Sequence, residues 1–286
     1  VMTGRFYLGM DGGGTGCRGR LVDHRGKVLA EAASGAANIA TDRAQALHSI
    51  LAVAQQVAAG HCALEKITAG LGLAGASLSA PRDWIAAHLP FKSARIVQDV
   101  ETSLIGALND QDGIIAAIGT GSVFASQRAG QRRIIGGWGL RLGDEASGAW
   151  IGRELCRAAL RAIEAGGAQS PLIESLVLRL GGVQGIVAFG ASAAPSDFAG
   201  LVPDLLIARQ AGDVAAIALF ESACAQVAES VAQLQSGDTA LPVVFLGGLG
   251  PVFAEAFAAR WHVIAAQGTA LDGAVRLAMR GEEPNA

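Results

Sequence analysis

Apolar residues along this chain follow two rhythms that alternate. Short runs at Phe6–Met10, Cys17–Val22 and Lys27–Ala33, bounded by glycine, aspartate and a His24-Arg25-Gly26 turn, read as three successive strands. From Arg43 to Ala59 the apolar positions take helical spacing behind Thr41 or Asp42, either of which can cap the amino end. A strand over Ile67–Leu73, a helix near Pro81–His88, a strand over Ala94–Gln98 and a helix from Val100 to Leu108 continue the alternation. Three meandering strands followed by βα units predict a mixed sheet.

The pattern restarts at Gly113. Strands over Ile114–Ile118, Val123–Arg128 and Arg132–Ile135 repeat the opening; helices follow over Ala149–Ala165, Pro171–Leu180 and Asp213–Gln235. A strand at Val243–Leu246, a glycine turn, a helix at Pro251 and a closing helix over Thr269–Met279 complete the chain. Two halves with one opening imply an internally duplicated α/β unit with a cleft between the copies. The hinge falls near Leu108–Gly113, which gives domains at 1–110 and 111–268, the closing helix of 269–286 joining the first.

Composition narrows the chemistry. Of 286 residues, 51% are hydrophobic and 16% charged, which supplies a large core and excludes disorder. A net charge of −3 gives no reason to expect nucleic acid or an anionic membrane as partner. Ala44–Leu64 lacks Asp, Glu, Lys and Arg, yet Gln45, His48, Ser49, Gln55 and Gln56 interrupt it, so an amphipathic helix is expected rather than a membrane span. Cys17, Cys62, Cys156 and Cys224 are scattered and the five histidines dispersed, which predicts reduced thiols, a cytoplasmic protein and no zinc site. Asp11 arrives before any signal-like apolar run, so export is not expected.

Two turns carry candidate phosphate chemistry. Asp11-Gly12-Gly13-Gly14-Thr15-Gly16 and Gly119-Thr120-Gly121-Ser122 each join a pair of strands. Without β-carbons, backbone N–H groups can converge on an anion, and the threonine adds a hydroxyl donor. Asp11 beside such a cradle is repulsive to phosphate unless a cation such as Mg²⁺ intervenes. Either turn alone also suits an ordinary glycine hairpin; the pair, with Asp11, favours a clamp on a polyphosphate.

Four further segments have competing readings. Gly70-Leu71-Gly72-Leu73-Ala74-Gly75 fits G-x-G-x-x-G, but it is itself apolar and the next strand offers Arg95 rather than an acid, so close packing is expected instead of dinucleotide binding. Asp99, at the end of a strand and the start of a helix, suits either a ligand-facing carboxylate or a helix cap. The loop from Gly136 to Gly148 joins many glycines to Trp138, Asp144 and Glu145 and suits a polyhydroxylated ligand. Gly247-Gly248-Leu249-Gly250 permits close approach of a flat group such as adenine, or is a simple strand–helix turn.

In order and composition these segments resemble the superfamily of sugar kinases, actin and heat-shock ATPases. More closely, the chain is similar to the family that holds N-acetylglucosamine kinase, bacterial glucosamine kinase and the ATPase activators of acyl-CoA dehydratases and reductases. The matching pieces are Asp11–Thr15, Gly70–Ala76, Ile118–Ser122, Gly136–Gly139, Gly143–Glu145 and Gly268–Ala274.

The resemblance implies two actin-like, ribonuclease H-like α/β domains with mixed sheets around a central cleft, and ATP-dependent phosphorylation of the 6-hydroxyl of an amino sugar. It implies Asp99 as general base; Asn38, Asp99, Thr120, Gly137, Trp138 and Asp144 at the sugar; Gly13, Gly14, Thr15, Thr120 and Gly121 at the phosphates; and Gly247, Gly248 and Gly250 at the adenosine. Asp11 would meet Mg²⁺, and relatives imply a homodimer. N-acetylglucosamine is favoured by Trp138 as a wall for an acetyl group, glucosamine by Glu101 or Glu145 as partner of an ammonium. Gln98 and Glu101-Thr102 depart from the family pattern beside Asp99, which points to an altered acceptor pocket. An activator ATPase would need cysteines in a cluster motif, which this chain lacks; a catalytically idle sugar-binding regulator is the other alternative.

Overall fold

The computed structural model describes residues 4–166, 170–235, 237 and 239–280. They form two compact units: one from Val1–Asp112, Gln127–Gly130 and Ala265–Ala286, the other from Gly113–Ser126 and Gln131–Ile264.

The first unit is built on a five-stranded sheet of order β3-β2-β1-β4-β5. β1 (Phe6–Gly12) lies antiparallel to β2 (Cys17–Asp23) and parallel to β4 (Ile67–Leu73); β2 pairs antiparallel with β3 (Val28–Ser34), and β4 parallel with β5 (Ser93–Gln98). With a partner on each edge, β1 is the centre of the sheet, and packing elements cover it on both faces. Accordingly Leu8 and Met10 enter a core with Ile50, Val53 and Val57 of α1 (Arg43–Ala58), while Tyr7 packs on the opposite side. Asp42 caps α1 by accepting the N–H groups of Ala44 and Gln45 at 3.0 and 2.9 Å. α2 (Ser79–His88) and α3 (Asp99–Leu108) follow β4 and β5.

In the second unit the sheet order is β8-β7-β6-β9, with β6 (Gly113–Ile118), β7 (Ser122–Arg128), β8 (Gln131–Gly136) and β9 (Val243–Leu246); β6 and β9 are parallel. Helices α4 (Gly148–Glu164) and α5 (Pro171–Leu180) match the sequence pattern, as does α9 (Val214–Leu234). Three helices were not anticipated: α6 (Gly182–Ser192), α7 (Pro195–Ala199) and α8 (Val202–Gln210). α10 (Gly250–Phe257) follows the last glycine turn.

Among the described residues α9 is one helix long and apolar enough to cross a membrane. Its stripe of Ala216, Phe220, Ala223, Val227 and Val231 is buried in the core of the unit, and Glu221 and Glu229 interrupt its length. Helical spacing of core residues accounts for that composition.

The last helix, α11 (Ala270–Arg280), returns to the first unit, where Val275 and Ala278 cover Tyr7. Its approach explains the G-x-G-x-x-G segment. A β-carbon on Gly70 would stand 2.4 Å from the Ala274 carbonyl oxygen and 2.7 Å from the Ala278 nitrogen. Gly70–Leu73 of the segment belong to strand β4, with a glycine where a helix lies against it.

Candidate functional site

In the first unit the chain ends of β1, β4 and β5 gather the predicted residues. The Gly13 N–H donates to the Gly16 carbonyl at 2.9 Å, closing the β1–β2 turn, and the Gly13 carbonyl accepts from Ala37 N–H at 2.8 Å. Ala74 N–H donates to the Gly12 carbonyl at 2.8 Å, and Ile39 N–H to the Ala74 carbonyl at 3.0 Å. These bonds knit the first predicted phosphate turn, the Asn38 loop and the exit of β4 into one backbone mesh. Gly14 and Thr15 are exposed, and among the described residues their N–H groups have no partner.

Asn38 is oriented by its own loop. Its carboxamide oxygen accepts from Ala40 and Thr41 N–H at 3.0 and 3.2 Å, which commits the acceptor and leaves its amide N–H₂ without a described protein partner. A cavity of about 130 Å³ brings Asn38 together with Gly14, Ala36 and Thr41.

Asp99 is the first residue of α3; the cap position itself belongs to Gln98. Asp99 Oδ1 accepts the Val100 N–H at 2.9 Å, while its carbonyl receives the hydroxyls of Thr102 and Ser103 at 2.9 and 3.0 Å. The Gln98–Glu101 departure from the family pattern is a capping box, in which Glu101 Oε1 accepts the Gln98 N–H at 3.3 Å. Glu101 is thereby committed to the helix start.

Sheet register relates the two carboxylates of this unit. Asp11 pairs across with Gly72 of β4, and Gly72 with Val97 of β5, so Asp11 and Val97, two residues before Asp99, lie about two strand spacings, roughly 10 Å, apart. Burial pushes the Asp99 carboxyl above the ordinary aspartate range, against the pull of backbone N–H groups from Val100 and Asp99 itself. Asp11 is raised by burial first and by the negative charge of Asp99 second, with Arg18 drawing it back. At Asp11 the carboxylate is thus under strain from burial and from a like charge, which a cation beside it would relieve. Among the described residues no group of three or more His, Cys, Asp or Glu side chains could hold a metal. Mg²⁺ on a nucleotide needs only one or two carboxylates, the remaining positions being phosphate and water, and Asp11 fits that requirement.

In the second unit, the turn after β6 is fastened to the first turn of α4. Gly119 N–H donates to the Gly121 carbonyl at 2.9 Å; Gly148 and Ala149 N–H donate to the carbonyls of Gly119 and Thr120 at 2.8 and 3.1 Å. Asp144 lies against this turn. It is 8% exposed, with φ of 57°, and its carboxylate accepts N–H bonds from Ser122 and from Gly139 at 3.2 Å. A β-carbon on Gly121 would stand 2.9 Å from Asp144 Oδ2. The predicted phosphate turn and the predicted sugar carboxylate are therefore neighbours. Burial raises the Asp144 carboxyl, the N–H groups of Ser122 and Gly139 oppose it, and Glu145 adds to the rise.

Trp138, 70% exposed, stands between Gly137 and Gly139, which hold φ of 74° and 79°. The Glu145 side chain has no hydrogen-bond or ion-pair partner among the described residues, so of the two candidate ammonium partners it is the uncommitted one.

Gly247, with φ of 83°, completes this site. Its β-carbon would stand 2.4 Å from the Ile118 carbonyl oxygen, which also receives the Leu249 N–H at 3.0 Å, so the glycine turn presses directly on the end of β6. Gly250 closes the turn, its N–H donating to the Gly247 carbonyl at 3.0 Å. A cavity of about 520 Å³ opens here, floored by Gly119, Thr120, Gly148, Gly248 and Leu249. Its wall is apolar: Ala199, Val202, Pro203, Leu206 and Ile207, from the end of α7 and from α8. The wall residues escaped the sequence reading. The signals present were the prolines near the starts of both helices and Asp197, which accepts the Ala194 N–H at 2.8 Å.

The α/β fold with two units and these glycine turns define an actin-like ATPase class of protein. The chain belongs to the BadF/BadG/BcrA/BcrD ATPase family, whose model matches residues 8–258. It is 31% identical over 231 residues to the glucosamine kinase of Vibrio cholerae, covering 78% of each chain. It is 30% identical over 176 residues to an N-acetylmuramic acid/N-acetylglucosamine kinase of Clostridium acetobutylicum, covering 59% of this chain and 58% of that protein. Among solved structures, a candidate N-acetylglucosamine kinase from Chromobacterium violaceum superposes with a TM-score of 0.85 at 33% identity, covering 96% of this chain and 99% of that one.

Proposed function

We propose that this protein is an ATP-dependent kinase that phosphorylates the 6-hydroxyl of an amino sugar, glucosamine or N-acetylglucosamine. The observation that carries the reading is the partly buried Asp99 carboxylate at a strand end, raised by burial and engaged, among the described residues, by backbone N–H groups of its own helix start. Such a group is free to accept a proton. The named activities of the relatives support the same reaction.

In this reading Asp99 accepts the proton of the sugar 6-hydroxyl as that oxygen attacks the γ-phosphorus and the β–γ bridging oxygen leaves with ADP. Asn38, Gly137, Trp138, Thr120 and Asp144 hold the sugar, with Asp144 accepting hydroxyl protons in hydrogen bonds. Gly13, Gly14 and Thr15 from the first unit, and Thr120 and Gly121 from the second, receive phosphate oxygens. Gly14 and Thr15 offer unspent N–H donors, whereas Gly13 acts by shaping the turn. Gly247, Gly248 and Gly250 shape the seat of the adenosine, whose base occupies the apolar cavity. Mg²⁺, held through Asp11, would neutralise phosphate charge. Positioning supplies the larger share of the rate, because effective molarity can contribute about 7–11 kcal/mol against roughly 10²–10⁴-fold from a general base.

We take residues 1–110 with the closing helix, and 111–268, as the two actin-like domains, in a cytoplasmic homodimer. The cysteines argue against the activator alternative: all four are free, and burial pushes the thiols of Cys17, Cys156 and Cys224 up to about 12, 11 and 11, which disfavours the thiolates a cluster requires. An assay of ATP consumption with and without a panel of hexoses tests the proposal. A kinase consumes ATP only when an amino sugar is present; slow consumption indifferent to sugar identifies an activator, and sugar binding without consumption a regulator.

A further inference from the structure

The apolar cavity of the second unit has a consequence for the phosphoryl donor that rests on its assignment as the seat of the base. Adenine and guanine differ in hydrogen-bonding edge, an amino donor at position 6 against a carbonyl acceptor. A site that selects one strictly must present a matching polar group, because the wrong base then leaves that group buried and unpaired. A wall of hydrocarbon cannot do so.

The lining residues contain no amide side chain, no carboxylate and no cation; Thr120 carries the one side-chain hydroxyl among them. Most backbone polar groups on the floor are also committed. Gly119 spends its N–H on Gly121 and its carbonyl on Gly148; the Thr120 carbonyl accepts from Ala149, and the Leu249 N–H is given to Ile118. Thr120 itself belongs to the phosphate turn. Gly248 remains, exposed, with room around its α-carbon and no described hydrogen bond. On the wall, Val202, Pro203, Leu206 and Ile207 present hydrocarbon, and Ile207 is 67% exposed.

We infer that the base is held chiefly by shape and apolar contact, so that the enzyme accepts guanosine and inosine triphosphates as phosphoryl donors nearly as well as ATP. One neutral hydrogen bond to Gly248, gained by one base and lost by another, changes specificity by about tenfold or less.

The experiment compares kcat/KM for ATP, GTP and ITP with glucosamine as acceptor, and in parallel measures displacement of a fluorescent ATP analogue by each nucleotide. The expected result is values within about tenfold of one another in both measurements. A preference for ATP above a hundredfold, in turnover or in displacement, overturns the inference. The variant Ile207→Ala, at an exposed helical position, is expected to weaken ATP and GTP by the same factor, about threefold, with the sugar KM unchanged. Unchanged nucleotide affinity in that variant shows that the cavity is not the seat of the base and also overturns the inference. Displacement without transfer to any sugar sinks the kinase reading alone, because the base comparison is still read from binding.

Discussion

Gly72→Ala tests whether the position of Asp99 is set by how closely α3 packs on β4. A β-carbon built on Gly72 stands 2.0 Å from Thr102 Oγ1, 2.7 Å from its Cγ2 and 2.9 Å from its Cβ. Rotation about χ1 clears at most one of the first two clashes, because two heavy substituents share three staggered positions, and it does so at the cost of the bond from the Thr102 hydroxyl to the Asp99 carbonyl. It cannot move Thr102 Cβ, and ordinary contact begins at 3.4 Å, so the backbone of α3 must retreat by about 0.5 Å (3.4 − 2.9) even after the rotamer changes. Overpacking of this kind costs about 1–3 kcal/mol. Displacing the helix that carries Asp99, the proposed base, is expected to lower kcat by about tenfold to a hundredfold. Thermal unfolding and steady-state kinetics read the two effects, and a lower Tm with a lower kcat is expected. The double variant Gly72→Ala with Thr102→Ala removes Oγ1 and Cγ2, so its loss of stability should be smaller than the sum of the two single losses. Additive losses, or a Gly72→Ala protein with unchanged Tm and kcat, refute the packing argument.

Three other outcomes follow from the same geometry. Asp99→Asn should lower kcat by about 10²–10⁴-fold while making the protein more stable near neutral pH. The raised folded-state pKa of Asp99 means its favourable neutral form is fully present below the unfolded pKa and is lost as pH rises through the folded value, so the variant's gain in Tm should shrink on acidification. Asp144→Asn should raise the sugar KM by about tenfold through loss of charge-assisted bonds, with the ATP KM little changed; equal effects on both substrates would remove Asp144 from the sugar pocket. Asp213→Ala should cost about 1–3 kcal/mol, since Asp213 accepts from Ser170 Oγ and from the N–H groups of Leu172, Ala215 and Ala216. Burial raises that carboxyl, but these bonds win and hold it below its ordinary value; its stabilisation is present above the unfolded pKa and lost as pH falls through the folded one, so the deficit in Tm should be largest near neutral pH.

What the sequence made legible is what local chemistry dictates. β4 and β9 were bounded correctly because apolar runs end at glycine or polar residues, and α1 because Asp42 caps a run with buried Ala46, Ile50, Val53 and Val57 on one stripe. The meaning of Gly70 was half legible: its surroundings spoke against a dinucleotide, but the helix that excludes a side chain there begins two hundred residues later, at Ala270. α7 and α8 were missed because helices of five and nine residues are too short to show a period. That omission hid the cavity wall, since Val202, Leu206 and Ile207 meet Gly119 and Gly248 only in three dimensions. The Gln98–Glu101 pair pointed to a changed acceptor pocket; as a capping box, it is a device for starting α3.

The central claim is phosphoryl transfer from ATP to the 6-hydroxyl of an amino sugar. Its most direct test is phosphorus NMR of the purified protein with MgATP and, separately, glucosamine, N-acetylglucosamine and glucose. One sugar 6-phosphate is expected for each ADP with at least one of the two amino sugars, and no ADP in the absence of sugar. ATP hydrolysis indifferent to sugar, or phosphate placed on the anomeric oxygen rather than on the 6-oxygen, would contradict it.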